Sequence, residues 1–313
     1  MSQTTDSPPG APAPGSDTPD SGDHNGIQLR SRRRWPLIAG AAAVVVIVLA
    51  AVIAWRFAGS DEASPNDTPG ATLTVVTAEG NASEQALVNF VATQVAPRYG
   101  ITVAFRGLAD STTLNRAVSD GEVAGTIYQH KLWLSQVLAA NPDFQEEAAT
   151  PVFRWGFGIW SDKYASPTDL PQNAKVSLYS DPANEAQGLW LLERAGLITL
   201  KPGVDKWTAT QDDIASNPRN LQFTLLDFAA QSRALPDLDA TVGYTEYYLA
   251  AGVDLSKQIF APPAPDEFAG QLTIGSKWRD SENIKKLVAA FKDPAVQQYL
   301  ATDPAVKNIL LPL

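Results

Sequence analysis

Trp35–Trp55, WPLIAGAAAVVVIVLAAVIAW, carries no charged residue over 21 positions. As a helix rising about 1.5 Å per residue it spans roughly 31 Å, the thickness of a bilayer core. The run is apolar on every side, which disfavours a buried helix of a soluble domain. Tryptophans stand at both ends, where indoles prefer the membrane interface. Arg30, Arg32, Arg33 and Arg34 precede the run and only Arg56 follows closely. That asymmetry puts the N-terminus in the cytoplasm and the C-terminal bulk outside. A cleaved signal peptide is the rival, but the run exceeds the usual ~7–15 apolar residues. The sequence predicts a single-pass cell-membrane protein with an extracytoplasmic domain.

The rest of the 313 residues divides around this anchor. Residues 1–34 are rich in Pro, Gly, Ser and Asp, with nothing to bury, and are expected to be a disordered cytoplasmic tail. The anchor is assigned 35–58, and 59–70 reads as a polar linker. Residues 71–313 are the working domain. Five arginines and four aspartates fall before residue 59, leaving 19 basic and 30 acidic residues beyond it. That acidity argues against a nucleic-acid partner.

In the working domain short apolar strands alternate with helices. Leu73–Ala78, Ile101–Arg106, Val123–Ile127, Val152–Trp160, Lys175–Tyr179, Leu221–Leu225, Ala240–Val242 and Gln271–Ile274 read as strands. A helix capped by Ser83 is expected to end near Gly100, and others follow from Leu114, His130, Asn184, Glu282 and Ala295. Alternation of this kind predicts an α/β fold of parallel sheets with helices on both faces. About 240 residues is large for one such sheet, so two lobes are expected.

Catalytic equipment is sparse. Cys is absent, which excludes disulfides, thiolate metal sites, a thiol nucleophile and a lipid carried on cysteine. Two histidines, His24 and His130, cannot build a multi-histidine metal centre. No phosphate-binding glycine loop and no GxSxG elbow occurs. Glu146/Glu147 and Asp212/Asp213 are sequence neighbours, which point apart and suit solvated charge better than acid–base work. The expectation is a binding protein without cofactor or metal, its small ligand held between two lobes.

Three segments sharpen this. Asp120-Gly-Glu-Val-Ala-Gly-Thr-Ile-Tyr-Gln-His130-Lys-Leu-Trp133-Leu resembles the strand-to-helix segment of the methionine-binding lipoprotein (NlpA-type) family. Asp181-Pro-Ala-Asn184 through Lys201 is similar to a second family segment, and Asp213–Asn220 followed by Ala230–Ala240 to a third. Order and spacing hold across nearly all of 72–313. The resemblance implies a substrate-binding component of an ABC importer with the two-lobed type II periplasmic-binding-protein fold. Crossovers are then expected near residues 157 and 262, giving one lobe of about 71–157 and 263–313 and another of 158–262. A permease and its ATPase are the implied partners, and an amino acid or similar polar molecule the ligand. A ligand-binding sensor without transport is the alternative.

The resemblance also implies site residues. Tyr128, His130 and Trp133 stand where the family forms its side-chain pocket; by residue type alone such an aromatic cluster could equally be core. Asn184 keeps the family's asparagine, which binds the methionine backbone, and could instead be a plain helix cap. Gln187 replaces the family's arginine, as a neutral pocket donor or a surface residue. Tyr244 replaces a later asparagine, and Ser111 aligns with a tyrosine. Arg106, Arg154 and Gln271 are further candidates, the arginines for the missing guanidinium and Gln271 for an amide.

Overall fold

The computed structural model describes residues 64–313, part of one compact unit that begins at Asp61. The predicted tail and anchor lie outside the described residues. Among the described residues no helix is long and apolar enough to cross a membrane.

The chain begins with β1 (Thr72–Ala78), α1 (Ala82–Phe90), β2 (Thr102–Leu108), α2 (Ser111–Ser119), β3 (Gly125–His130), α3 (Lys131–Ala140) and β4 (Glu146–Trp155). It continues with β5 (Phe157–Trp160), β6 (Lys175–Tyr179), α4 (Pro182–Arg194), β7 (Thr199–Leu200), β8 (Ile214–Ser216), β9 (Gln222–Leu226), α5 (Phe228–Ala234), β10 (Ala240–Tyr244), α6 (Thr245–Ala250) and β11 (Gln258–Phe260). Last come β12 (Ala269–Gly275), α7 (Glu282–Phe291), α8 (Pro294–Thr302) and β13 (Leu310–Leu311). One sheet has the order β13-β4-β12-β3-β1-β2 and the other β11-β5-β10-β6-β9. The strands β7 and β8 pair apart as a small ribbon.

The expected strand Val152–Trp160 is thus two strands in different sheets. The passage between them is the single residue Gly156, and the return runs through 261–268. A Cβ on Gly156 would stand 2.7 Å from Thr245 Oγ1 and 2.8 Å from the Asn308 carbonyl, so only glycine fits this crossing. The sheets are mixed rather than parallel. The strands β1, β2 and β3 run parallel, as do β6, β9 and β10, where helices cross over. The passing and returning strands, β4 and β12 in one sheet and β5 and β11 in the other, run antiparallel to their neighbours.

Helix α1 is capped by Asn81, whose side chain accepts the Glu84 N–H at 3.0 Å, rather than by Ser83. Leu87, Val88, Val91 and Val95 pack inward with no exposed surface, each worth about 1.5–3 kcal/mol of apolar burial. The helix continues as a π turn over Val91–Val95 and a 3₁₀ turn over Ala96–Tyr99, where Pro97 has no N–H to donate. Gly100, at φ +67°, ends it. Residues 64–70, expected to be linker, are instead docked on the domain. Asn66 is fully buried and donates to the Val123 carbonyl at 3.2 Å. Asn283 donates to the Pro65 and Thr68 carbonyls.

Glu146, expected to be solvated, opens β4 at 6% exposure with neither carboxyl oxygen hydrogen-bonded. Burial pushes its carboxyl up to about 8 from the ordinary 4.5. The folded state therefore holds a proton that the unfolded state releases. Its contribution to stability is intact below about pH 4.5 and lost as pH rises toward 8. Glu146→Gln is expected to stabilise the protein at pH 8 by on the order of 3 kcal/mol, and far less at pH 5. Thermal unfolding followed by circular dichroism reads the difference; equal shifts at both values would refute the assignment.

Candidate functional site

A cavity of about 190 Å³ lies between the two sheets. Ala78, His130, Trp155 and Tyr244, the last residues of β1, β3, β4 and β10, all reach its wall. Carboxyl ends of strands are where open α/β folds place ligands, because the following turns are free to carry side chains inward.

Its polar floor is a network around Asn184. Asp181 Oδ1 caps α4 by accepting the Asn184 N–H at 2.9 Å and also takes the Asn184 side-chain amide at 2.8 Å. Asn184 is therefore not the cap, and its Oδ1 faces two partners. Tyr244 Oη donates to Asn184 Oδ1 and also lies 2.8 Å from Gln187 Oε1. A phenol has one proton, so it serves one acceptor at a time. His130 Nε2 approaches the same Asn184 oxygen from the other sheet, at 3.4 Å.

His130 has a fixed role. Its Nδ1 accepts the Trp133 N–H at 3.1 Å and caps α3, so its proton sits on Nε2, toward Asn184. Burial pulls its pKa down to about 4, and the imidazole is neutral at pH 7. Tyr128 Oη receives Asn115 Nδ2 at 2.6 Å and Trp133 Nε1 at 3.2 Å. Burial pushes the Tyr128 phenol up to about 12.

Six aromatic residues, Tyr128, Trp133, Trp155, Phe228, Tyr244 and Tyr247, make much of the wall. Trp155 meets Tyr244 edge to face at 5.9 Å, and Trp133 meets Phe228 the same way at 6.1 Å. Phe228 also stacks on Tyr244 at 6.2 Å and packs against Tyr247 at 5.8 Å. Two carboxyls share this wall, Glu84 from α1 and Glu246 from α6. Glu84 Oε1 accepts Trp155 Nε1 at 3.3 Å, and its Oε2 has no partner. Burial, then the charge of Glu246, holds Glu84 well above the ordinary carboxylate range. Burial also raises Glu246, whose Oε1 accepts Ser83 Oγ at 2.8 Å.

Tyr128, His130, Trp133, Asn184 and Tyr244 thus come together on one cavity, with Gln187 bonded behind Tyr244. The other candidates lie elsewhere. Arg154 precedes Trp155 on a strand, so it faces the opposite way. Its guanidinium is held by the Ala264 and Pro312 carbonyls and by Asp266. Arg106 is exposed on the edge strand β2, away from the cavity wall. Ser111 starts α2, its carbonyl taken by Asn115 Nδ2 at 2.8 Å, and does not reach the wall. Gln271 is buried in β12 with its amide on the Ala269 carbonyl at 2.8 Å. Neither arginine supplies a guanidinium here. Sequence reasoning missed Glu84, Glu246, Trp155, Phe228 and Tyr247. Phe228 and Glu246 had one local signal: each lies in the first turn of a helix that follows a strand.

The NlpA lipoprotein pattern matches residues 73–310. The D-methionine-binding lipoprotein MetQ of Escherichia coli K12 is 29% identical over 244 residues, 77% of this chain and 86% of that one. The methionine-binding lipoprotein MetQ of Bacillus subtilis is 29% identical over 205 residues, 64% of this chain and 75% of that one. Among solved structures, a periplasmic substrate-binding protein of an ABC transporter from Coxiella burnetii superposes with TM-score 0.68 at 30% identity, covering 77% of this chain and all 100% of that one. A nutrient-binding protein from Burkholderia cenocepacia bound to methionine gives TM-score 0.64 at 29% identity, covering 77% and 98%. These structures share the two-lobed periplasmic-binding fold described above, and the chain belongs to the NlpA lipoprotein family.

Proposed function

We propose that this chain is the solute-binding component of an ABC importer, held at the membrane by residues 35–58, with 59–313 outside the cell. Its ligand is a small amino-acid-like metabolite bound between the lobes. The observation that carries the reading is the convergence of Tyr128, His130, Trp133, Asn184 and Tyr244, from both sheets, on one cavity. At about 190 Å³ the cavity is smaller than the roughly 300–1,000 Å³ of drug-sized sites, which suits a metabolite. The methionine bound to the Burkholderia relative and the methionine-binding names of the curated relatives support the ligand class. Closure of the lobes over ligand would present one face to a permease.

Mass spectrometry of the small molecule that co-purifies with the protein tests the reading; a preparation that carries and binds none would defeat it. Trp133→Ala is expected to weaken ligand binding by about 1–3 kcal/mol while the fold persists. Loss of folding with unchanged affinity would make the ring core instead.

L-Methionine itself is expected to bind weakly. The family's arginine and later asparagine are replaced by Gln187 and Tyr244, and among the described residues no guanidinium lines the cavity. A charge-assisted hydrogen bond is worth roughly 1.5–3 kcal/mol. Calorimetry on protein stripped of ligand checks this; sub-micromolar affinity would contradict it. Partial recovery in the double variant Gln187→Arg, Tyr244→Asn is the expected counterpart.

The anchor is expected to stay attached. Sequencing the mature N-terminus reads this directly, and cleavage between Ala50 and Ser60 would rule it out.

A further inference from the structure

The charges of the cavity wall all have one sign. Glu84 and Glu246 line the cavity, whereas no lysine or arginine among the described residues does, and His130 is neutral. Glu84 is 1% exposed and its Oε2 lacks any hydrogen-bond partner. A buried acceptor left open costs free energy until something fills it. Burial raises the proton affinity of both carboxyls, and the charge of Glu246 adds to it at Glu84, a strain that a positive charge relieves.

The place where an anion would dock is already taken. The α4 N-terminus, whose free N–H groups suit a carboxylate, holds the protein's own Asp181 carboxylate. Arg154 is tied to Asp266 and two carbonyls outside the cavity. A ligand carboxylate would be desolvated beside two acidic groups with no countercharge. Trp155, Phe228, Tyr244 and Tyr247, by contrast, line the cavity with aromatic rings, the groups to which an ammonium is attracted.

We propose that the cavity recognises a small organic cation, an ammonium group on a short apolar chain with no free carboxylate, with Glu84 and Glu246 as its counter-ions and the aromatic wall around it. The inference rests on the cleft being the ligand site and narrows the ligand class from amino acid to amine.

The test uses the full chain, solubilised in detergent and stripped of ligand, with three probes that share one thioether side chain. They are the amine that decarboxylation of methionine leaves, the acid that its deamination leaves, and L-methionine. Calorimetry is expected to show the amine binding at least about tenfold tighter than L-methionine, with the acid weakest. Glu246→Gln is expected to cut amine affinity about tenfold or more, and Glu84→Gln gives the same reading should the first variant fold poorly. Tighter binding of L-methionine or of the acid than of the amine overturns the cation assignment. So does amine affinity that neither glutamate variant changes. If L-methionine wins and Trp133→Ala abolishes its binding, the solute-binding reading survives without the cation. If none of the three probes binds, the cation assignment falls, and the co-purifying molecule alone decides the solute-binding reading.

Discussion

Asn184 is the point on which the two lobes agree. Its amide oxygen receives Tyr244 from the second sheet and faces His130 from the first, while its NH₂ is fixed by Asp181. An amide can do this because it donates and accepts at once, without the desolvation that a buried charge would suffer. Apart from the half-buried Asp181 carboxylate, the network is neutral and almost fully buried, so each missing partner would leave a polar atom stranded. It also holds Tyr244 in its seat and accepts the Nε2 proton that the α3 cap leaves on His130.

Tyr244 and Gln187 are best understood together. Aligned against the family they look like two separate losses, an asparagine and an arginine. In the structure they lie 2.8 Å apart, with Gln187 Oε1 and Asn184 Oδ1 sharing the one phenol proton of Tyr244. The phenol lines the cavity, and the glutamine lies behind it. Coupled neighbours of this kind do not add, which is why a single reversion is a poor probe of either.

Much of the fold was legible. The strand ends at Ala78 and Tyr179 and the helix stop at Gly196 follow from apolar runs and punctuation that act locally. What was not legible depended on long-range pairing. Val152–Trp160 reads as one apolar strand because nothing local distinguishes a crossing glycine from one within a strand. In the site, Tyr128, His130, Trp133 and Asn184 came from segment resemblance, and the cavity gathers them. Arg154 was separable in principle, since its neighbour Trp155 takes the inward side and strand residues alternate. Glu84 looks like an ordinary first-turn acid beside a helix dipole. Only the burial brought by β4 and α6 shows otherwise. Residues 64–70 look like linker by composition, yet Asn66 in its buried slot and the Asn283 amide on the Pro65 and Thr68 carbonyls dock them.

Gly156 joins the sheets, and both of its backbone groups are committed. Its N–H donates to the Ile309 carbonyl at 2.7 Å and its carbonyl accepts the Thr245 N–H at 2.8 Å. One bond leads to the segment that feeds β13 of the first sheet, the other to the helix that follows β10 of the second. A link one residue long and tied to both sides can turn but cannot lengthen, so relative motion of the lobes is swing rather than slide. The separation of the two walls then grows with distance from this point. A molecule entering the cleft would meet a wedge with its apex at Gly156, not a slot of even width.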